Sequence, residues 1–155
     1  MKLNYIVIPL ITILVAVLGN LFTSSGIDSG WYDSIAKPAW TPAGSIIGAV
    51  WTLLFILATI SALIVWNKAP RSRRFWWIVG VFLINAVLNV FWSFLFFNQY
   101  LLGAAIWEAG LLGLSVVALV VLIWPISRLA SALLIPYAAW VFFAAYLTYS
   151  VWILN

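Results

Sequence analysis

A chain of 155 residues that is 67% hydrophobic and 6% charged, with a mean hydropathy of +1.20, has more apolar surface than its own interior can hold, since soluble domains carry about 25% charged residues. The net charge of +4 is small, and the Lys and Arg residues show none of the aromatic interleaving of a nucleic-acid surface. With no Cys and no His, disulfides, thiolate chemistry and the usual metal and proton-relay side chains are excluded, leaving an all-α integral membrane protein whose spans of ~20 residues fill the chain as one transmembrane domain, 1–155.

Apolar runs bounded by Gly, Pro, Asn or charge predict five spans, at 5–24, 46–66, 75–97, 101–123 and 130–152. The first begins after Lys2. Its uninterrupted run from Tyr5 to Phe22 exceeds the ~7–15 residues of a signal-peptide core, so a retained span is expected although "TSSG" offers small residues near a cleavage point. The loop 25–45 contains "WYDSIAKPAWTP", Trp31 to Pro42. Pro38 and Pro42 fix φ there, Trp31, Tyr32 and Trp40 suit the headgroup level, and Asp33 and Lys37, four apart, predict an ion pair across a helical turn between Trp31 and Ala36.

The second span opens on "GSIIG", Gly44 to Gly48, and carries Trp51 about a turn and a half in. The third places Asn85, Asn89 and Ser93 at i, i+4 and i+8, on one face, which predicts a buried polar seam. In the fourth, Glu108 is the only acid within a span. Unpaired in lipid its charge would cost several kcal/mol, so it is expected either protonated or facing a polar partner. The fifth aligns Pro136, Trp140, Phe143 and Leu147 in one stripe bordered by Tyr137 and Ala144. Pro136 predicts a kink there, and Trp140 lies too deep for an interfacial belt. Ordinary roles stand beside these: interhelical hydrogen bonding for the amides and the acid, and headgroup anchoring for most of the 11 Trp.

Five spans put Lys2, Lys68, Arg71, Arg73, Arg74 and Arg128 on one side and Lys37 alone on the other. The positive-inside rule makes the first side cytoplasmic, with the N-terminus there and the C-terminus outside. No repeat appears, and an odd number of spans does not divide into two inverted halves, which argues against an alternating-access transporter. Trp51, Asn89, Ser93, Glu108 and the Trp140–Thr148 half of the fifth span all fall toward the outer leaflet beneath the loop. That arrangement predicts an aromatic-walled pocket with a lid.

"WYDSIAKPAWTP", Trp51 in "GAVWTLLF", "NVFWSFLFF" from Asn89 to Phe97 and "LLIPYAAWVFFAAYLTYSVW" from Leu133 to Trp152 together resemble the translocator protein family, also called tryptophan-rich sensory proteins or peripheral-type benzodiazepine receptors. The match runs through all five spans in order. The resemblance implies a receptor whose pocket binds porphyrins such as protoporphyrin IX and haem, together with isoquinoline carboxamide and benzodiazepine-type ligands, with no obligatory cofactor. Carried over position by position, it implies ligand contacts at Tyr32, Trp40, Trp51, Asn89, Ser93, Glu108, Trp140, Ala144 and Leu147, with Glu108 standing where the family often has Asp. It also implies homodimers in a bacterial cell membrane, and light-dependent porphyrin breakdown involving Trp51 and Trp140. An alternative is a porphyrin or small-molecule transporter that uses Glu108 as a protonation switch. Two departures stand out. Thr148 replaces the Asn of animal members, and no Lys or Arg follows Tyr149, so the proposed cholesterol pattern lacks its basic arm. Ala43 replaces the second Pro common after "WTP". With no His or Cys, haem would lack its commonest axial ligands, so recognition is expected to centre on the macrocycle.

Overall fold

An apolar run in lipid must bond every backbone N–H and C=O within itself, and the helix does so. The computed structural model describes residues 2–155 and contains, among them, five helical stretches long and apolar enough to cross a membrane. In chain order the elements are α1 (Asn4–Asp28), a single turn α2 (Trp31–Ser34), α3 (Gly44–Lys68), α4 (Arg73–Ser93) continued by a π-helical turn (Phe94–Asn98), α5 (Leu102–Ile123), a short α6 (Arg128–Ala132) and α7 (Ile135–Leu154). α5 packs most extensively on α7 and on α4, α1 packs on α4, its π-helical extension and α3, and α3 closes the ring through lighter contacts with α6 and α7.

Three local features differ from the sequence expectation. α1 runs on through Ser25 to Asp28, where Ser29 caps it, its N–H donating to Ser25 O at 3.2 Å and its Oγ to Gly26 O at 3.0 Å; Gly30, at φ 74°, then turns the chain into α2. Pro136 does not kink a continuous fifth helix. It sits in the first turn of α7, where its missing N–H costs no helical bond, and the span is broken at Leu133–Leu134 between α6 and α7. The third span ends in the π-helical turn, where Gln99 N–H donates to Phe94 O at 2.9 Å. Leu95, Phe96 and Phe97 are consecutive and all buried, more than one narrow helix face presents, and the residues around this turn meet α1 on one side and Trp31, Tyr32 and Ile35 on another.

The main core joins Leu54 and Val65 of α3, Phe75 and Ile78 of α4, Val116 and Leu119 of α5, and Tyr137 and Val141 of α7. Ser61 Oγ donates to Ala130 O at 2.7 Å, tying α3 to α6. Much of the remaining apolar surface faces outward, as lipid requires. Exposed Trp76, Trp77 and Trp124 ring the basic end, and Trp107, Trp152 and Tyr100 ring the loop end, forming two interfacial belts.

Gly26 lets α1 come hard against the π-helical turn. A Cβ there would stand 2.6 Å from Phe97 O and 2.9 Å from Phe97 Cβ, and the carbonyl belongs to the π-helical backbone and has little freedom to move. Gly26→Ala is therefore expected to destabilise the protein by ~1–3 kcal/mol through overpacking, read as a lower thermal unfolding midpoint in detergent. Gly48→Ala, with open space around it, serves as the control. Equal midpoints for the two variants would show that α1 slides freely over the π-helical turn.

Candidate functional site

The expected polar seam on α4 is present, and its partner is a tyrosine on α7. Asn89 Nδ2 donates to Tyr137 Oη at 2.6 Å, Tyr137 Oη donates to Asn85 Oδ1 at 3.0 Å, and Asn85 Nδ2 donates to Ser115 Oγ of α5 at 2.8 Å. Ser115 Oγ passes its hydrogen to Leu112 O at 2.7 Å. A buried phenol in an apolar span needs a partner for its hydroxyl, and the two amides one turn apart supply one on each side. Trp51 of α3 meets the Tyr137 ring edge to face at 6.1 Å, so Trp51 and Asn89 are brought together through Tyr137.

The loop end is closed by rings. Trp40 stacks on Tyr146 at 5.6 Å and leans on Phe143 at 6.0 Å, and Phe143 in turn contacts Trp140 at 5.1 Å. Tyr32 belongs to a different group, packed against Phe97 at 5.5 Å and Phe96 at 6.4 Å, with Trp31 on Phe96 at 5.5 Å. Burial, reinforced by neighbouring Asp33, raises the Tyr32 hydroxyl above the ordinary phenol value, so it remains a protonated donor.

The expected Asp33 to Lys37 pairing is replaced by another arrangement. The chain is already extended at Ile35, so residue 37 lies beyond the helical turn that would have set it over residue 33. The Lys37 ammonium instead donates to the carbonyls of Tyr32 and Ile35 and lies 4.5 Å over the Tyr32 ring. The loop is also fastened to the end of α7. Asn155 Nδ2 donates to Ala36 O at 2.9 Å while Asn155 Oδ1 accepts from Ala36 N–H at 2.9 Å, reproducing a backbone pair with one side chain.

Glu108, only 4% exposed on α5, has no hydrogen-bond partner for either carboxyl oxygen among the described residues. The indole N–H groups of Trp92 and Trp140 are likewise buried and unpartnered. Ser93 is buried against α1, 3.6 Å from where a Cβ of Gly19 would lie. Ala144 and Leu147 are half-buried on α7, and Ala144 O accepts from Thr148 Oγ1 at 2.8 Å. Five of the nine expected residues therefore fall into a seam group (Trp51, Asn89), a loop-end aromatic group (Trp40, Trp140) and the separate Tyr32 group, while Ser93, Glu108, Ala144 and Leu147 join none of these. Tyr137, Phe143 and Asn155 complete these groups without having been singled out as site residues. A buried Tyr facing two Asn spaced i, i+4 was the signal available for the first, and the other two required the fold.

The TspO/MBR family model matches residues 7–153. Similar chains include the uncharacterized membrane protein YtaB of Bacillus subtilis, 37% identical over 137 residues, covering 84% of this chain and 86% of the relative. Tryptophan-rich protein TspO of Bacillus cereus is 35% identical over 130 residues, 83% of each chain. The human translocator protein is 30% identical over 123 residues, 79% of this chain and 73% of the relative.

Proposed function

The chain belongs to the TspO/MBR family, and from that premise we propose that it is a membrane receptor for flat, largely apolar aromatic ligands of the porphyrin class, taken up beneath the Trp31–Pro42 loop with that loop on the outer side. The observation that carries this reading is the unused hydrogen-bonding capacity inside the aromatic end of the bundle: two acceptor oxygens on Glu108 and the donor N–H of Trp140. Leaving such groups buried and unpaired costs ~1–3 kcal/mol each, a cost that a ligand able to pair with them relieves. Pyrrole N–H groups match a carboxyl acceptor, and a macrocycle lying against Trp51 and Trp140 gains ~0.5–1.5 kcal/mol per stacked pair beyond area burial. Isoquinoline carboxamide and benzodiazepine-type molecules offer the same combination of flat rings and a few polar atoms.

Recognition of the macrocycle rather than the metal has a direct test. Protoporphyrin IX and haem, titrated against the protein in nanodiscs by quenching of Trp fluorescence, are expected to bind with comparable affinity. Glu108→Leu is expected to weaken the metal-free porphyrin roughly tenfold through loss of the acceptor. A hundredfold preference for the iron form, or an unchanged affinity in Glu108→Leu, would overturn this account. Porphyrin uptake into proteoliposomes that is abolished by Glu108→Gln would make the protein a carrier instead.

A further inference from the structure

A cavity of about 140 Å³ lies beside the Asn–Tyr network, between α1, α3 and α4 toward the basic end of the bundle. Of the nine expected ligand contacts, Asn89 alone lines it; Tyr32, Trp40, Trp51, Ser93, Glu108, Trp140, Ala144 and Leu147 do not. Its walls are aromatic, with Phe55 and Trp66 from α3 and Phe75 and Phe82 from α4, and its rim is marked by the exposed side chains of Ile11 and Leu83. Among the described residues no Asp, Glu, Lys or Arg lines it, so a charged ligand would be desolvated there without a counter-charge in the wall.

The end wall is polar, and following its donors decides what it can accept. Asn89 gives its amide nitrogen to Tyr137, Tyr137 gives its hydroxyl hydrogen to Asn85, and Asn85 gives its amide nitrogen to Ser115. Ser115 sets the direction: its hydroxyl hydrogen goes to Leu112 O, so its oxygen accepts from Asn85 Nδ2, Asn85 Oδ1 takes the Tyr137 hydrogen, and the Tyr137 oxygen accepts from Asn89 Nδ2. Asn89 Oδ1 stands at the open end of the chain, with no group among the described residues donating to it, on a side chain that is 8% exposed and lines the cavity. Of the other polar side chains beside the cavity, Asn85 and Tyr137 are engaged within the chain, Thr12 donates its hydroxyl to Ile8 O at 3.2 Å and accepts from Thr59 Oγ1 at 2.8 Å, and Trp66 adds an indole N–H. The cavity thus offers aromatic walls, one free acceptor and the edge of the Trp66 indole.

We propose that this cavity is a binding site, separate from the loop-end pocket, for a small uncharged aromatic molecule bearing a single hydrogen-bond donor, of the phenol or indole class, with its donor placed on Asn89 Oδ1. The size agrees, because an apolar cavity of roughly 150 Å³ in another protein accommodates one benzene ring. A lipid tail would fill the walls but leave Asn89 Oδ1 without a donor. This inference shares Asn89, but no other expected contact, with the porphyrin reading, and survives its failure.

The probe is 4-fluorophenol, with 4-fluoroanisole as its donor-free counterpart, followed by ¹⁹F NMR against the full chain in nanodiscs, with empty nanodiscs correcting for lipid partition. Saturable binding of 4-fluorophenol is expected, roughly tenfold tighter than 4-fluoroanisole. Asn89→Leu should remove the difference between the two probes. Ala62→Leu, which fills the cavity while leaving the hydrogen-bonded chain intact, should abolish binding of both, and Trp140→Ala should change neither. Equal affinity for the two probes in the unmodified protein would make the cavity a space for lipid tails and overturn the proposal. So would binding no different from empty nanodiscs, or binding that persists in Ala62→Leu.

Discussion

Trp140→Ala is expected to weaken protoporphyrin IX binding by about one to two orders of magnitude, corresponding to the ~1–3 kcal/mol that a buried aromatic contact carries at a binding site. Trp140 is half-buried, its indole N–H has no partner, and it touches Phe143, against which Trp40 of the loop leans. Trp40 and Trp140 therefore share contact with the Phe143 ring. Trp40→Ala is expected to weaken binding as well, and the double variant should lose less than the sum, because Trp40 has less to close upon once Trp140 is gone. Tyr32 packs on Phe96 and Phe97, so Tyr32→Ala combined with Trp140→Ala should lie closer to additive. Ligand should also protect the Ile35–Ala43 segment from protease. Additive losses for Trp40 and Trp140, together with unchanged cleavage, would show that the loop is a headgroup anchor and not a lid.

Tyr137→Phe is expected to produce the largest loss of stability of any change that removes one atom. The hydroxyl accepts from Asn89 and donates to Asn85, so its removal leaves one amide donor and one amide acceptor buried without that partner. Interhelical hydrogen bonds in membranes average about 0.6 kcal/mol and reach about 1.7. Two bonds lost at one fully buried centre thus predict ~1–3 kcal/mol, measured as a shift of the unfolding midpoint on titration with dodecyl sulfate. Because the three side chains act as one unit, Tyr137→Phe in an Asn85→Leu background should cost much less than in the parent. An unchanged midpoint, or full cost in both backgrounds, would show that the network contributes no net stability.

The number of spans and the residues sharing each helix face are properties of the chain read one residue after another, and the sequence determined them. An apolar run long enough to cross lipid must become a helix because no other open structure satisfies its backbone there, and residues at i, i+4 share a face whatever surrounds them. Four of the five spans began within about two residues of the expected position, and the Asn85, Asn89, Ser93 seam is buried as its spacing requires. The fifth span departed most, because a proline that a continuous helix would have had to bend around was placed at a helix start. What only the tertiary structure decided is the set of partners: Tyr137 for Asn85 and Asn89, 52 and 48 residues away, Trp40 over α7, and Asn155 pairing with Ala36 across 119 residues. The same holds for Lys37, whose expected partner Asp33 lost out once Ile35 became extended and two carbonyls and a ring were within reach. Periodicity assigns a side chain to a face but not to the atom opposite it. In a bundle whose helices are nearly all apolar, several arrangements bury similar area, and the choice among them falls to the few polar groups that must find one another and to the small residues, such as Gly26, that let two backbones touch.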